Sequence, residues 1–186
     1  MKRLALIVAA ACSFSGMAQQ VTETKQGFRV DPAGDKPTTE VTVYAPNIIR
    51  VTKYADGLEA LPAKKSYSVI MTPEKGKSLW SIEGNTLRTA CLTVTVDAAT
   101  GEVRFADADG NALLSEKGEA EVISIASGVD KGKFSIRQDF KLGADEAIYG
   151  LGQRRSPKLN QRGEKVEIWN HNANITIPYF TSVKGY

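Results

Sequence analysis

The residues best equipped to contact a ligand are concentrated near the end of the chain, from Tyr149 to Tyr186. This segment combines glycines, basic side chains, aromatic rings and asparagines more densely than any segment before it. Glycines let a backbone approach a ligand closely, aromatic rings can stack on it, and amides can hydrogen-bond to it. Phosphate binding, metal binding and nucleophilic catalysis are the chemistries to test first against the residues present.

The segment Gly150-Leu151-Gly152 has the beginning of a glycine-rich phosphate loop. Arg155 stands where the third glycine is required, and no helical pattern follows that could direct its amino end at a phosphate. The sequence therefore predicts no dinucleotide site, and we expect no cofactor.

Metal and nucleophile sites are equally poorly supported. His171 is the single histidine, so the chain cannot build a metal site from several histidines. Residues 107–111 resemble the start of a calcium loop, but its sixth and twelfth positions hold Ala112 and Gly118 instead of glycine and glutamate. No serine lies in a recognisable nucleophile turn. We expect no metal ligand and no catalytic side chain in this chain.

The basic side chains of the segment are interleaved with Glu164 and Glu167. This mixture is typical of a solvated loop rather than a nucleic-acid patch, and we expect no nucleic acid as a partner. The residues concerned are Arg154, Arg155, Lys158, Arg162 and Lys165.

Residues 1–18 have the pattern of a secretory signal peptide, with Lys2 and Arg3 before an apolar run and small residues before the expected cleavage site. The run is shorter than the roughly 20 apolar residues that span a membrane. We expect a mature chain that begins near Gln19, with a net charge of +1 instead of +3, exported to the periplasm or the extracellular space. A lipoprotein anchored through Cys12 is the less favoured alternative.

The mature part keeps Cys91 as its one cysteine, so an intrachain disulfide cannot form and a hydrophobic core must hold the fold. Short segments of alternating apolar and polar residues recur, whereas no long apolar stripe at helical spacing is present. The sequence predicts one all-β domain over residues 19–186, an antiparallel β-sandwich. The predicted strands are 21–30, 40–44, 48–54, 67–71, 92–96, 102–106, 112–114, 121–127 and 133–140, with a short helix-like patch at 58–61.

The segment near the end resembles glycoside hydrolase family 31. Tyr149-Gly150-Leu151-Gly152-Gln153 is similar to the Y-G-L-G-E/Q segment late in the N-terminal domain of that family. In the same order follow Asn160-Gln161-Arg162-Gly163, a W-N-x-D-like element at 169–172, and Ile177-Pro178-Tyr179-Phe180 leading to Lys184-Gly185-Tyr186. The resemblance implies a galactose-mutarotase-like N-terminal domain of an α-glucosidase or α-xylosidase.

The resemblance also implies that the catalytic machinery lies elsewhere. Retaining glycosidases use two carboxylates about 5–5.5 Å apart, and the family carries both on a (β/α)₈ barrel after this domain. No strand–helix alternation of that kind is present here. We therefore expect a domain that is incomplete at its C-terminal end, with Tyr186 inside a strand of a longer protein, and that is inactive alone.

The resemblance implies a substrate-facing role for Asn172, with Asn170, His171, Trp169 and Gln153 as candidate neighbours. Asn172 replaces the aspartate of the family element, which removes a negative charge. Two alternatives stay open: Trp169 packs in the sandwich core, which we favour for this residue, and the asparagines cap turns.

Two functions are consistent with this sequence. The leading hypothesis is the N-terminal domain of a retaining α-glycosidase, in which loop 153–174 helps to shape the pocket for a terminal α-linked glucose or xylose. The expected partners are that oligosaccharide and the catalytic barrel of the same chain, with no membrane span. The alternative is a free-standing exported carbohydrate-binding module.

Overall fold

The computed structural model describes residues 20–54, 67–73, 78–155 and 158–186. Within these ranges the secondary structure consists of β-strands, and no helix occurs that is long and apolar enough to cross a membrane. The predicted all-β class is therefore confirmed. The predicted signal peptide and the helix-like patch at 58–61 lie outside the described residues.

The strands of the described residues form two antiparallel sheets and two smaller ribbons. The first sheet contains, in chain order, β1 (Gln20–Glu23), β2 (Gly27–Asp31), β3 (Thr38–Ala45) and β4 (Ile48–Tyr54). The ribbons are β10 (Glu121–Ser124) with β11 (Phe134–Arg137), and β13 (Ile148–Gly150) with β14 (Phe180–Ser182). The second sheet contains β5 (Trp80–Glu83), β6 (Thr86–Thr89), β7 (Leu92–Val96), β8 (Val103–Asp107), β9 (Ala112–Glu116) and β12 (Phe140–Lys141), in the spatial order β12-β9-β8-β7-β6-β5.

A single apolar core lies between the two sheets. Alternate residues of each strand point to the same side of a sheet, so apolar residues that alternate along a strand of either sheet can share its inner face. The buried side chains are Phe28, Val30, Val41 and Val43 from the first sheet, and Trp80, Leu87, Val94, Val96 and Val103 from the second. This arrangement is the predicted β-sandwich.

A buried ion pair also joins the two sheets. Lys53 on β4 lies with its Nζ 2.7 Å from Oε2 of Glu116 on β9, and it also donates to the backbone oxygen of Gly101 at 3.0 Å. The amide of Val103 donates to the same Glu116 oxygen at 2.7 Å. A buried charge needs such a partner and such hydrogen bonds to offset its lost hydration.

Several strand predictions were wrong in their boundaries. The segment 21–30 forms two strands, because the chain turns at Lys25 and Gln26 before Gly27 passes close to the carbonyl of Val41. Residues 67–71 are exposed and form no strand. The segment 133–140 is divided between β11 and β12, and its apolar side chains Phe134 and Ile136 are exposed. The hairpin of β5 and β6 was not predicted.

The ribbon of β13 and β14 pairs segments that are distant in the sequence. Ile148 lies opposite Ser182, and Gly150 lies opposite Phe180. This pairing brings together the two ends of residues 151–179, which we call the site loop. The last strand ends at Ser182 and a turn follows. Tyr186 therefore lies outside a strand here, whereas we expected it to lie inside one.

Candidate functional site

The base of the site loop is held by close backbone contacts at Gly152. Gly152 has a φ of +88°, and a Cβ atom there would lie 2.2 Å from the carbonyl oxygen of Ile175. The next residue, Gln153, exchanges two hydrogen bonds with Ile175, of 2.7 Å and 2.9 Å between nitrogen and oxygen. Only a residue without a side chain permits this approach, so Gly152 sets the position of Gln153 beside the far part of the loop.

A tight turn forms the tip of the loop. The amide of Asn174 donates to the carbonyl of His171 at 2.8 Å, and Asn172 between them has a φ of +29°. Asparagine is one of the few residues that tolerates such a backbone conformation. The Asn172 side chain is exposed. The backbone of the turn alone accounts for an asparagine at this position.

The side chain of Asn170 is engaged within the loop. Its Oδ1 atom accepts hydrogen bonds from the amide of Thr176 at 2.6 Å and from the Thr176 hydroxyl at 2.9 Å. This is the structural role that the sequence left open for the asparagines, since the bonds tie the two sides of the turn together. Asn170 therefore positions its neighbours.

Trp169 and His171 form an exposed aromatic pair. Their ring centroids are 4.4 Å apart and the rings are inclined by 45°. The Trp169 side chain is 60% exposed, so the interpretation of Trp169 as a core residue was wrong. Packing against the histidine ring leaves much of the indole open to solvent, and an open aromatic surface of this kind can stack on a ligand.

The aromatic pair lines a surface groove with a volume of about 370 Å³. The other residues of the groove come from both halves of the site loop, and several are basic. The full lining consists of Arg154, Arg155, Lys165, Val166, Glu167, Trp169, His171 and Asn174. Of the predicted site residues, the structure therefore brings Trp169 and His171 into one groove.

Gln161 organises the groove from inside the loop; it belongs to the 160–163 element of the family resemblance but was not among the predicted site residues. Its side chain is buried, and its Nε2 atom donates to the carbonyl oxygens of Lys158 and Leu159 at 2.7 Å and 2.9 Å. Its Oε1 atom accepts a hydrogen bond of 2.5 Å from Arg154 Nη2. Gln161 thus fixes the arginine at the edge of the groove.

A buried carboxylate, Glu146, holds the base of the ribbon. It accepts hydrogen bonds from the Ser182 hydroxyl at 2.5 Å, the Gly143 amide at 2.8 Å and the Tyr186 hydroxyl. The Lys184 ammonium lies 3.2 Å away. Burial alone would raise the pKa of Glu146, but these donors lower the pKa to about 2. Burial and the neighbouring carboxylate raise the pKa of Tyr186 to about 12.

Comparison with known proteins shows that this chain is similar to glycosyl hydrolases of family 31. A family model described as the glycosyl hydrolase 31 N-terminal galactose mutarotase-like domain matches residues 38–184. An α-xylosidase of Saccharolobus solfataricus is 27% identical over 163 residues, which covers 79% of this chain and 21% of that protein. The crystal structure of a GH31 α-xylosidase from Xanthomonas citri superposes with a TM-score of 0.73 and 30% identity, over 87% of this chain and 18% of that one.

A further solved structure shares the fold. A GH31 α-xylosidase from a soil metagenome, crystallised with xylose, has a TM-score of 0.65 and 22% identity, over 88% of this chain and 26% of that one. The chain thus spans about a fifth to a quarter of the length of these proteins. Because the family model extends across most of the sandwich and the site loop, the chain belongs to the glycosyl hydrolase 31 N-terminal galactose mutarotase-like domain family.

Proposed function

We propose that this chain is the N-terminal domain of an α-glycosidase and that its site loop forms one wall of the pocket that holds the sugar. The observation that carries the proposal is the exposed pair of Trp169 and His171 in a groove on a domain of this family. A pyranose ring presents an apolar face surrounded by hydroxyl groups. An aromatic surface flanked by hydrogen-bonding side chains complements both.

The full-length protein would hydrolyse terminal α-xylosidic or α-glucosidic bonds. Relatives of this chain are described as α-xylosidases, which supports this substrate class. A retaining mechanism needs two carboxylates about 5–5.5 Å apart, and in the proposal a catalytic barrel of the same protein supplies both. The site loop contributes sugar contacts and no catalytic group.

Exposed apolar side chains in the second half of the site loop support a covering domain. Ile175, Ile177 and Tyr179 are 62%, 53% and 65% exposed. A group of large apolar residues at the surface is typical of an interaction site. This favours the domain of a larger enzyme over a free-standing carbohydrate-binding module, for which calorimetry would instead detect tight oligosaccharide binding by a monomeric chain.

The purified 186-residue chain should show no turnover of 4-nitrophenyl α-xyloside or α-glucoside, whereas the full-length protein should hydrolyse at least one of them. The reason is that the proposal assigns both catalytic carboxylates to the barrel. Release of nitrophenol, measured by absorbance, checks both parts. Turnover by the chain alone, or a full-length protein inactive on both glycosides, would contradict the proposal.

A pair of substitutions at Asn172 separates a sugar contact from a turn requirement. In the full-length protein, Asn172→Gly keeps the positive φ and removes the side chain, whereas Asn172→Ala removes the side chain and also disfavours the turn. If the amide contacts the sugar, both variants should lower kcat/KM. The loss should be equivalent to more than about 0.5 kcal/mol of transition-state stabilisation. A glycine variant with the parent kcat/KM would assign Asn172 to the turn alone.

We also propose that the protein is exported. The segment 1–18 would be removed and the mature protein would begin near Gln19 in the periplasm or the extracellular space. The mass of the processed protein tests this, because cleavage before a lipid-modified Cys12 would give a longer and heavier chain.

A further inference from the structure

The basic side chains of the site loop are mostly exposed, as predicted for a solvated loop, but they have different roles in the structure. Lys158 forms an ion pair with Glu164, with 2.5 Å between nitrogen and oxygen. Arg162 donates to the carbonyl oxygens of Gly143 and Glu146 at 2.7 Å and 2.9 Å, so it anchors the loop to the ribbon. These two cations hold the loop together.

The other three cations, Arg154, Arg155 and Lys165, line the groove beside the aromatic pair. Among the lining residues that the structure describes, Glu167 is the one carboxylate, and it lies 3.9 Å from Lys165 with both side chains largely exposed. An exposed pair at that distance neutralises little charge. The groove therefore carries an excess of positive charge.

Arg154 shows that part of this charge is held in a fixed position. Its Nη2 atom donates to Gln161, which is itself locked by two backbone carbonyls. A guanidinium held in a fixed position is suited to binding a planar carboxylate.

We propose that the groove binds a sugar that carries a carboxylate, that is, a hexuronic acid residue. The sugar ring would lie on Trp169, and its carboxylate would lie among Arg154, Arg155 and Lys165. This inference rests on the proposed function, since the hexuronic acid would be the residue of the oligosaccharide that the site loop contacts beside the terminal glucose or xylose. A neutral hexose uses the aromatic surface but leaves the cations without a counter-charge.

The test compares methyl α-D-glucuronide with methyl α-D-glucoside. The two differ only at C6, which is a carboxylate in the first and a hydroxymethyl group in the second. Sodium acetate provides the carboxylate without the ring. The 186-residue chain is titrated with each probe, and ¹H–¹⁵N NMR follows the indole N–H signals. Trp169 is exposed and reports on the groove, whereas Trp80 is buried in the core and serves as the internal control.

We expect the glucuronide to shift the Trp169 signal with a dissociation constant at least about tenfold lower than the glucoside, and this ratio to shrink at high salt. The double variant Arg155→Gln/Lys165→Gln should remove the preference. The matched control Lys25→Gln/Lys131→Gln, which removes the same charge from exposed positions outside the groove, should retain it. Equal constants for the two glycosides, or equal shifts with acetate, would overturn the inference.

Trp169→Ala separates this inference from the proposed function, with binding of the probes measured by calorimetry. If the variant loses both glycosides while the parent does not distinguish them, the loop faces a sugar and only the carboxylate assignment fails. If the variant binds both glycosides as the parent does, the sugar-facing role of the loop itself fails.

Discussion

Replacing Gly152 with alanine should detach the two halves of the site loop from each other while the sandwich core stays folded. The added Cβ would lie 2.2 Å from the Ile175 carbonyl oxygen, and the φ of +88° is strained for any residue with a side chain. The clashing atoms belong to the backbone, so they cannot move aside as the end of a flexible side chain can. Strain and overpacking together should cost about 3 kcal/mol or more of local stability.

Hydrogen exchange at the amides of Gln153 and Ile175 measures this loss, because these two amides form the bridge beside Gly152. A loss of about 3 kcal/mol corresponds to exchange that is roughly a hundredfold faster. Gly163→Ala is the matched control in the same loop: its φ is +75°, but no other described residue beyond its chain neighbours has an atom within 4 Å of the added Cβ. It should cost about 1 kcal/mol and leave the bridge intact. Equal exchange in both variants would contradict the role assigned to close packing.

Glu146→Gln should remove the main polar anchor of the ribbon and, with it, an acid-dependent part of the stability. The folded pKa of Glu146 is about 2, below its ordinary value of 4.5. The ionised carboxylate therefore stabilises the fold fully above about pH 5, and this contribution disappears as the pH falls towards 2. The difference between the two pKa values corresponds to about 3 kcal/mol.

Urea unfolding followed by circular dichroism at pH 7, 5 and 3 checks this prediction. The variant should be about 3 kcal/mol less stable than the parent at pH 7, and the difference should narrow at pH 3. Glu83→Gln, which changes an exposed carboxylate on β5, should stay within about 0.5 kcal/mol of the parent at every pH. A constant difference between Glu146→Gln and the parent across this range would show that the carboxylate charge is not what stabilises the ribbon.

The sandwich core was predictable because its signal is local. Val41 with Val43, and Val94 with Val96, alternate with polar neighbours, and each pair is buried on one side of its strand. Alternation could not reveal whether another layer covers a given face. Ile136 occupies a comparable position on β11, yet it is 73% exposed because no second sheet covers that ribbon in the described part of the chain.

The family resemblance selected a candidate segment, but the geometry of that segment could not be deduced from the sequence. Trp169 and His171, two of the candidate residues of that segment, are neighbours in one groove. The exposure of Trp169 depends on how the loop folds back on itself. The role of Glu146 depends on Ser182 and Tyr186, which the pairing of β13 with β14 brings close. Such contacts join residues far apart in the sequence, and no local pattern encodes them.

The adjacent ends of the site loop make it a natural unit of exchange. Gly150 and Phe180 lie opposite each other on paired strands, so a loop of different length or composition can leave and rejoin the domain at the same place. The free energy of closing a loop rises only slowly with its length, and the apolar core does not include the loop. Domains that descend from one ancestor could therefore bind different ligands by changing the site loop while they keep the same sandwich.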